Sequence, residues 1–349
     1  MDLTEVNPQG VKFPGTCGHK MVKCGDNIYI FGGFSALYLD MDTVYFHVYN
    51  IPTNTMRNIE VEVNIPYYLV GFSMLYYKDC LYMILGLNNN LMIYDLKTQK
   101  MKKQFIGGPD ENYAQTSVII EDKVVTFGGI NYVNLQLSNE TFVLDLETLS
   151  WENITYQCTG DIPSPRNYHS AVYWNNKKYI FGGIGGKPIY TNIYRFTGGK
   201  HFSEIYSFDL STKTWELVKP KMNIEPHRRR SHSTCVLNDK MYIFGGHFEQ
   251  NNVELSFNDC WFYDFYLNSW NEVKLQNSFS PRRFHSTISY DGEVWLLGGI
   301  EVHNGLFNLH NDIFHFTEKK SKSKNSIHQN LLEINDNLLY IDTEIKFFN

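Results

Sequence analysis

The apolar positions of this chain fall into short runs, and five of these runs end in a pair of glycines. They are "YIFGG" at 29–33, 179–183 and 242–246, "VTFGG" at 125–129 and "WLLGG" at 295–299. Short runs rich in aromatic and β-branched residues and bounded by glycine are typical of buried β-strands. The interval from 33 to 129 is about twice the others and contains the half-matching "LYMILGL" at 81–87. The pattern therefore predicts six units with a mean spacing near 53 residues.

Other signals recur in phase with the glycines. A His-Ser strand precedes them in "PRNYHSAV" (165–172), "RRSHSTCV" (229–236) and "RRFHSTIS" (282–289). An apolar strand with an acidic turn follows them, as in "FVLDLET" (142–148), and a further strand begins near Trp151, Trp215 or Trp270. Each unit is therefore predicted to hold four short strands that run in alternating directions, with the Asp capping its own turn.

Backbone geometry explains the glycine pairs better than phosphate binding does. A Walker loop requires G-x-x-x-x-G-K-[ST], but in "FGGIGGKP" Phe181 stands where the first Gly belongs and Pro188 replaces the hydroxyl. Glycine reaches backbone angles that β-branched residues cannot adopt. The glycines interpreted as structural are Gly32, Gly33, Gly86, Gly128, Gly129, Gly182, Gly183, Gly245, Gly246, Gly298 and Gly299.

With these signals in phase, residues 1 to about 317 resemble kelch repeats. The resemblance implies an all-β fold, a six-bladed kelch-type β-propeller whose blades have four strands each. The second unit departs from the pattern, because it has the single Gly86 and only "NNN" between its middle strands. Its loop is expected to contribute little to a binding surface.

The two ends of the repeat array are expected to meet. The sixth unit has no Trp strand after "NDIFHF" (311–316), whereas "LTEV" (3–6) aligns with "WELV" (215–218) and "WNEV" (270–273). We therefore predict that Leu3–Val6 pairs with the strand around Ile313–Phe316 and closes the propeller, which removes an open sheet edge.

A short C-terminal extension follows the predicted propeller. Residues 318–326 form a Lys/Ser-rich linker, and residues 327–349 carry apolar residues at alternating spacings of four and three. This stripe favours an amphipathic helix that docks on the propeller or pairs with another copy of the chain. A hairpin built from "NLLEI" and "NLLYI" is the competing interpretation.

Composition and charge exclude several classes of protein. The net charge is −6, so nothing global indicates nucleic-acid binding. No apolar run approaches the ~18–20 residues of a membrane helix, and "MDLTEVNPQG" does not resemble a signal peptide. The six cysteines show no C-x-x-C pair, which favours reduced thiols in the cytoplasm.

The loop after the second strand of each unit should open on the same face as the links between units. The long segments fall on that face, and function normally lies on the longer loops of a rigid scaffold. A basic arc there, set against an acidic chain, suggests a cradle for an acidic or phosphorylated peptide. The candidate partner-binding residues are Arg166, Arg228, Arg229, Arg230, Arg282, Arg283, Lys187, Tyr190, Arg195 and Phe248.

Structural roles compete with these assignments. Arg166, Arg229 and Arg282 occupy equivalent places before the His-Ser strand, so they could brace each unit, whereas Arg228 and Arg230 only flank Arg229. The repetition of His169, His232 and His285 at one unit position favours structure over catalysis. The spacings of His303, His310 and His315 match no compact metal motif, so we expect no metal and no cofactor.

The sequence thus favours a non-catalytic protein-interaction module or adaptor. The alternative is an enzyme, because the resemblance extends to a family that includes copper-radical oxidases, sugar mutarotases and iron-dependent specifier proteins. The specifier pattern E-x-x-x-D-x-x-x-C is not met, since Asn258 lies four residues after Glu254.

Overall fold

A computed structural model describes residues 2–35, 44–61, 69–85, 90–109, 112–131, 133–186, 189–190, 196–221, 224–250, 253–303 and 306–317. Within these ranges the chain is almost entirely β-strand, with one short 3-10 helix at Thr155–Gln157. Gly86, Lys187, Arg195 and the C-terminal segments 318–326 and 327–349 lie outside the described residues.

The first ten strands precede the third glycine-containing unit. They are β1 (Asp2–Val6), β2 (Gln9–Gly10), β3 (Lys20–Cys24), β4 (Asn27–Phe31), β5 (Val44–Asn50), β6 (Thr55–Val61), β7 (Ser73–Tyr77), β8 (Cys80–Ile84), β9 (Asn90–Asp95) and β10 (Lys100–Phe105).

The middle of the chain contains many short strands. They are β11 (Asn112–Tyr113), β12 (Thr116–Ile120), β13 (Lys123–Phe127), β14 (Ile130–Asn131), β15 (Thr141–Asp145), β16 (Ser150–Asn153), β17 (Thr159–Gly160), β18 (Arg166–Asn167), β19 (Ser170–Trp174), β20 (Lys177–Phe181), β21 (Ile184–Gly185), β22 (Ile189–Tyr190), β23 (Phe196–Thr197), β24 (Lys200–His201), β25 (Ile205–Asp209) and β26 (Thr214–Val218).

The last strands are β27 (Ser233–Leu237), β28 (Lys240–Gln250), β29 (Val253–Asp264), β30 (Ser269–Glu272), β31 (Ser286–Tyr290), β32 (Glu293–Leu297), β33 (Ile300–His303), β34 (Leu306–Leu309) and β35 (Ile313–Thr317). They include the two longest strands of the described residues, β28 and β29.

These strands build six principal sheets, numbered here in chain order. The four antiparallel strands of each are β3-β4-β5-β6, β7-β8-β9-β10, β12-β13-β15-β16, β19-β20-β25-β26, β27-β28-β29-β30 and β31-β32-β35-β1. The sixth sheet takes its fourth strand from the other end of the chain, with Leu3 opposite Phe316 and Val6 opposite Ile313. The predicted pairing of Leu3–Val6 with this strand is therefore present.

Two features of these sheets were not expected from the sequence. β2 pairs in parallel with β6, and β17 pairs in parallel with β26, so that two links between units add a fifth strand to the next sheet. In the fifth sheet the second strand does not end at the glycines: β28 runs through Gly245 and Gly246, with a bulge there, and forms a long hairpin with β29. The apolar and polar alternation of "VELSF" in β29 is typical of a strand and accompanies the pairing beyond the glycine pair.

The acidic turns have the predicted geometry. In the third sheet, Asp145 Oδ1 accepts hydrogen bonds from the backbone N–H groups of Glu147 and Thr148, at 3.0 and 2.8 Å. Asp95, Asp209 and Asp264 accept the equivalent pairs of bonds. These carboxylates close the hairpins on the face opposite the glycine pairs.

The glycine pairs lie where neighbouring sheets meet. All ten described members have φ between 54 and 102°, a left-handed conformation that strongly favours glycine. A Cβ on Gly182 would lie 2.7 Å from the carbonyl oxygen of Arg229 in the next sheet, and one on Gly183 would lie 2.8 Å from the carbonyl oxygen of Asn167 in its own sheet. Gly183 N–H donates to Arg229 O at 2.9 Å, so the close approach forms a hydrogen bond between sheets.

A second set of left-handed residues joins the sheets. Each of the six lies two residues before the first strand of a sheet: Gly18, Gly71, Ala114, Tyr168, Ser231 and Phe284. Their backbone groups form a chain of hydrogen bonds from sheet to sheet, Ala114→Gly71, Tyr168→Ala114, Ser231→Tyr168, Phe284→Ser231 and Gly18→Phe284, at 2.7–3.2 Å. The first strands behind them also contact one another in sequence order, and β31 contacts β3.

Apolar side chains are buried between sheets rather than in one central core. Six main clusters each combine residues of two successive sheets, including the sixth and the first. Trp215 and Trp270 are fully buried in two of these interfaces. Stability is therefore distributed around the array, and every sheet depends on both neighbours.

We expect Leu3→Ala to lower the free energy of unfolding by about 2–4 kcal/mol, because Leu3 is buried against Phe244 and Phe316. Thr4→Ala, which changes an exposed position on the same strand, should cost less than about 0.5 kcal/mol. Deletion of residues 1–8 should lower the melting temperature by several degrees, since an outer strand is lost and an edge is exposed. Melting by circular dichroism tests all three, and an unchanged melting point after the deletion would contradict a stabilising role for β1.

Candidate partner-binding site

Three arginines of the predicted basic arc are internal braces. Arg166, Arg229 and Arg282 are at most 1% exposed. Each donates from Nε to the carbonyl oxygen two residues earlier and from Nη1 to the carbonyl of the first glycine in its own unit. Their side chains therefore hold the link between units against the glycine turn.

Aromatic rings and carboxylates complete these braces. Arg229 makes a two-pronged contact with Asp259, at 2.6 and 2.7 Å, and Arg282 makes the same contact with Asp312, at 2.5 and 2.8 Å. Arg166 stacks on Phe202 at 3.9 Å, and its Nη1 lies 3.9 Å from Glu204. Bidentate pairs of this kind fix geometry as well as charge. These contacts favour the bracing role over partner binding for the three residues.

Arg230 and Arg283 occupy the next repeated position and form a separate polar cluster. Arg230 donates from Nε to His247 Nδ1 at 3.0 Å, and its Nη2 lies 3.4 Å from Glu249. Arg283 Nη1 lies 2.8 Å from Glu254 Oε1, which is also 3.2 Å from His247 Nε2. Because His247 Nδ1 accepts a hydrogen bond, the proton of the neutral ring lies on Nε2 and faces Glu254. This cluster joins the links into the fifth and sixth units to the β28–β29 hairpin.

Burial and like charge perturb this cluster. Burial, with the nearby Arg283 adding repulsion, lowers the pKa of Arg230 to about 9. The hydrogen bond from His247, with Arg283 adding attraction, lowers the pKa of Glu254 to about 2. Two guanidinium groups are thus held close together beside the carboxylates of Glu249 and Glu254, and an additional negative charge nearby would offset their mutual repulsion.

Two of the candidate residues are buried. Arg230, which only flanks the equivalent Arg229 in the sequence, is 3% exposed, because it packs between the hairpin and the link. Phe248, considered as an exposed anchor, is 8% exposed and packs against the rings of His201 and His227. Arg228 is exposed. Tyr190 lies in β22, which pairs with β23.

A cavity opens beside this cluster. The six left-handed residues that carry the backbone hydrogen bonds all line it, together with the start of the first strand of several sheets. Arg230 and Arg283 immediately precede two of these lining residues, Ser231 and Phe284. The sequence does not reveal this rim, because the six positions share a backbone conformation rather than a residue type. Gly18 and Gly71 are the one signal of it in the sequence.

The repeated histidines lie between sheets. His169 Nε2 is 2.7 Å from Thr116 Oγ1, and His232 Nε2 is 2.7 Å from Ser170 Oγ, each a residue of the preceding sheet. Burial lowers the pKa of His169, His232 and His285 well below the ordinary value. The three rings are therefore neutral packing groups, as their repetition suggested.

The described ranges contain no group of three or more His, Cys, Asp or Glu side chains placed to hold a metal ion. His310 lies near Glu301 and Asp312, whereas His315 stacks on Trp295. The six cysteines are free thiols. None of the described residues forms a helix with the length and hydrophobicity of a membrane span.

Repeated four-stranded antiparallel sheets joined through glycine pairs define a kelch-type β-propeller. The model of the KLHDC2/KLHL20/DRC7 Kelch-repeats domain matches residues 85–197 and 116–328, and the chain belongs to this kelch-repeat family. Kelch domain-containing protein 3 of Bos taurus is 26% identical over 311 residues, which are 82% of this chain and 78% of that protein. Kelch domain-containing protein 10 of Homo sapiens is 24% identical over 322 residues, 85% of this chain and 67% of that protein.

A solved structure supports the same fold. The chain is similar to the "Structure of YjhT" with a TM-score of 0.65 and 11% sequence identity. The likeness covers 88% of this chain and 96% of the other. At this identity the likeness shows the fold alone.

We expect Arg229→Ala to lower the free energy of unfolding by about 2–4 kcal/mol, because it leaves Asp259 and the Gly245 carbonyl without their partner. Arg228→Ala, at the exposed neighbouring position, should change it by less than about 0.5 kcal/mol. Denaturant unfolding of both variants measures the difference. Equal stabilities would show that Arg229 is not a brace.

Stability should fall as the pH drops from about 7 to about 5. Burial lowers the pKa of His19 to about 3, and that of His232 and His285 is also lowered. Below a pH of about 6.5 the unfolded chain gains protons at these histidines, whereas the folded chain does not. Each histidine therefore lowers the free energy of unfolding by about 1.4 kcal/mol for every pH unit below that value. Unfolding free energies at several pH values test this.

The matched variants for that experiment are His285→Gln and His227→Gln. The first removes one buried titrating ring and should reduce the slope of stability against pH, whatever it does to absolute stability. The second changes an exposed histidine and should leave the slope unchanged. A slope that His285→Gln does not alter would show that this ring is not held neutral in the fold.

Proposed function

We propose that this chain is a non-catalytic interaction module whose β-propeller has six blades and is closed by its N-terminal strand. Three observations support the ring. Backbone hydrogen bonds run through the six left-handed residues, apolar clusters lie between successive sheets including the sixth and the first, and β1 completes the sixth sheet.

We further propose that the partner is an acidic or phosphorylated peptide that binds beside Arg230 and Arg283. The observation that carries this proposal is a comparison within the repeat. The position immediately before the left-handed residue is Cys17, Tyr113, Asn167, Arg230 or Arg283 in five of the units. Since the fold accepts Cys, Tyr and Asn there, packing alone does not require two arginines in successive units.

The electrostatics of the cluster point in the same direction. Each of the bracing arginines Arg229 and Arg282 has its own carboxylate, whereas Arg283 shares Glu254 with His247. Exposed Arg228 lies two residues from Arg230 and extends the positive surface toward solvent. Burial lowers the pKa of Arg230 and repulsion from Arg283 adds to this effect, and a carboxylate or phosphate near this cluster would offset both.

The histidines favour an interaction module over an enzyme. The repeated rings pack against glycines of the preceding sheet, where the Cβ of an added side chain would lie 2.9 Å from the His169 ring and 3.1 Å from the His232 ring. Buried between sheets, they serve as packing groups. Free thiols at all six cysteines support a reducing compartment, and we propose the cytoplasm. Self-association through residues 327–349 stays a prediction.

We expect Arg228→Ala and Arg230→Ala each to weaken binding of a labelled Asp/Glu-rich peptide by about 1–2 kcal/mol where the guanidinium is desolvated in the contact, and by less at the rim. Fluorescence anisotropy at low and high salt measures the affinity, which should fall as salt screens the contact. Phosphorylated and unphosphorylated versions of one peptide distinguish the two partner types.

Lys177→Ala is the control, because Lys177 lies at the turn between β19 and β20, on the opposite face. Melting temperatures of all variants separate lost binding from lost folding, which matters for the buried Arg230. If neither salt nor the two arginine substitutions change the affinity for the peptide, the arginine cluster has only a structural role.

A further inference from the structure

One residue breaks the repeat at the inner end of the sheets. The first residue of the first strand of each sheet lines a cavity of about 230 Å³; these residues are Lys20, Ser73, Thr116, Ser170, Ser233 and Ser286. Five carry a hydroxyl group and one carries an amine. Because the same fold position accepts Ser or Thr five times, the backbone does not require a lysine in the first sheet.

Lys20 also lines the adjoining cavity beneath the left-handed residues. The two cavities share Lys20, Gln115 and Thr116 as well as three histidines, so they are neighbouring parts of one space enclosed by the first strands. We call this space the axial cavity. It contains several times the ~30 Å³ that one water molecule occupies in the liquid.

Several polar groups around this space have no protein partner. Within the described residues, both polar side-chain atoms of Gln115 and the hydroxyl groups of Ser231 and Ser233 are buried without a hydrogen bond. These residues are 5, 7 and 8% exposed, respectively. All three line the axial cavity. Buried polar groups normally have hydrogen-bond partners, so the unsatisfied groups of these three residues indicate that a polar molecule or ion occupies the cavity.

The sign of the charge identifies the kind of occupant. Among the described residues that line the axial cavity, Lys20 is the one Lys or Arg and none is Asp or Glu. The histidines there are neutral, because burial lowers the pKa of His19, His169, His232 and His285. Burial also lowers the pKa of the Lys20 amine. A bound anion would oppose this effect by favouring the charged ammonium form of Lys20, and the hydroxyl and amide groups around it can donate hydrogen bonds to the anion.

We propose that the axial cavity binds one small oxyanion, inorganic phosphate or a short carboxylate. Lys20 supplies the positive charge, and Gln115, Ser233 and Ser231 supply hydrogen bonds to the oxyanion or to waters beside it. The bound anion would satisfy buried polar groups at the centre of the propeller and compensate the single desolvated ammonium group. This site lies among the first strands and is distinct from the arginine cluster proposed to bind peptides.

The test measures binding of phosphate and of acetate, separately, to the full chain by isothermal titration calorimetry. We expect saturable binding of at least one of them with one site per chain, and the two titrations distinguish phosphate from carboxylate. Lys20→Ser should weaken that binding at least about tenfold, the value of one charge-assisted contact. This variant should fold, because it places in the first sheet the residue found at the same position in four others.

Two further variants keep the proposal falsifiable. Lys20→Met removes the charge but retains an apolar stem and should lose binding to the same extent. Lys12→Ser removes an exposed lysine and should leave the affinity unchanged. The proposal is overturned if neither anion binds saturably, which would mean that water fills the cavity, or if Lys20→Ser and Lys20→Met bind as the unmodified chain does. Arg228→Ala should not affect this binding, so its outcome is independent of the peptide experiment.

Discussion

The hydrogen bonds between neighbouring sheets impose the constraint on which the rest of this structure depends. Each sheet begins two residues after a left-handed residue whose backbone is bonded to the corresponding residue of another sheet. Each glycine pair then adds a bond from its second N–H to the following unit, as Gly183 does to Arg229 O at 2.9 Å. A four-stranded sheet with two apolar faces is not stable alone. Each sheet is therefore stabilised by these hydrogen bonds and by the apolar clusters that it shares with its neighbours.

The arginine braces follow from the same constraint. A glycine turn that approaches the next sheet closely exposes carbonyl groups that must be satisfied away from water. Arg229 and Arg282 satisfy them from the link between units and are themselves neutralised by carboxylates thirty residues further on. In the third unit, Asn112 performs the same task, donating to the Gly128 carbonyl at 2.7 Å. The brace therefore needs a donor at this position rather than a positive charge.

The sequence predicted the fold where the repeat is periodic. Glycine pairs, acidic turns and Trp-containing outer strands identified the units, and the match of "LTEV" to "WELV" predicted the β1–β35 pairing. The sequence did not predict features that equivalent positions share when their residue types differ. The residue types of Tyr168, Ser231 and Phe284 do not predict their common left-handed conformation. The burial of Arg230 depends on the long β28–β29 hairpin. Charge could be counted along the chain, but the carboxylates that neutralise Arg229 and Arg282, Asp259 and Asp312, lie 30 residues further along it.

Function in a repeat protein is best sought where the repeats differ. A residue that recurs at one unit position, such as His169 or Arg282, is explained by contacts that every unit must make. A residue that replaces the usual type without a need of the fold requires another explanation. By this criterion Arg230 and Arg283 at the rim and Lys20 inside are exceptional, since the remaining units place uncharged side chains at the same positions. Both departures add positive charge to a chain of net charge −6. The two proposed anion sites, one at the surface and one along the axis, rest on these departures from the repeat.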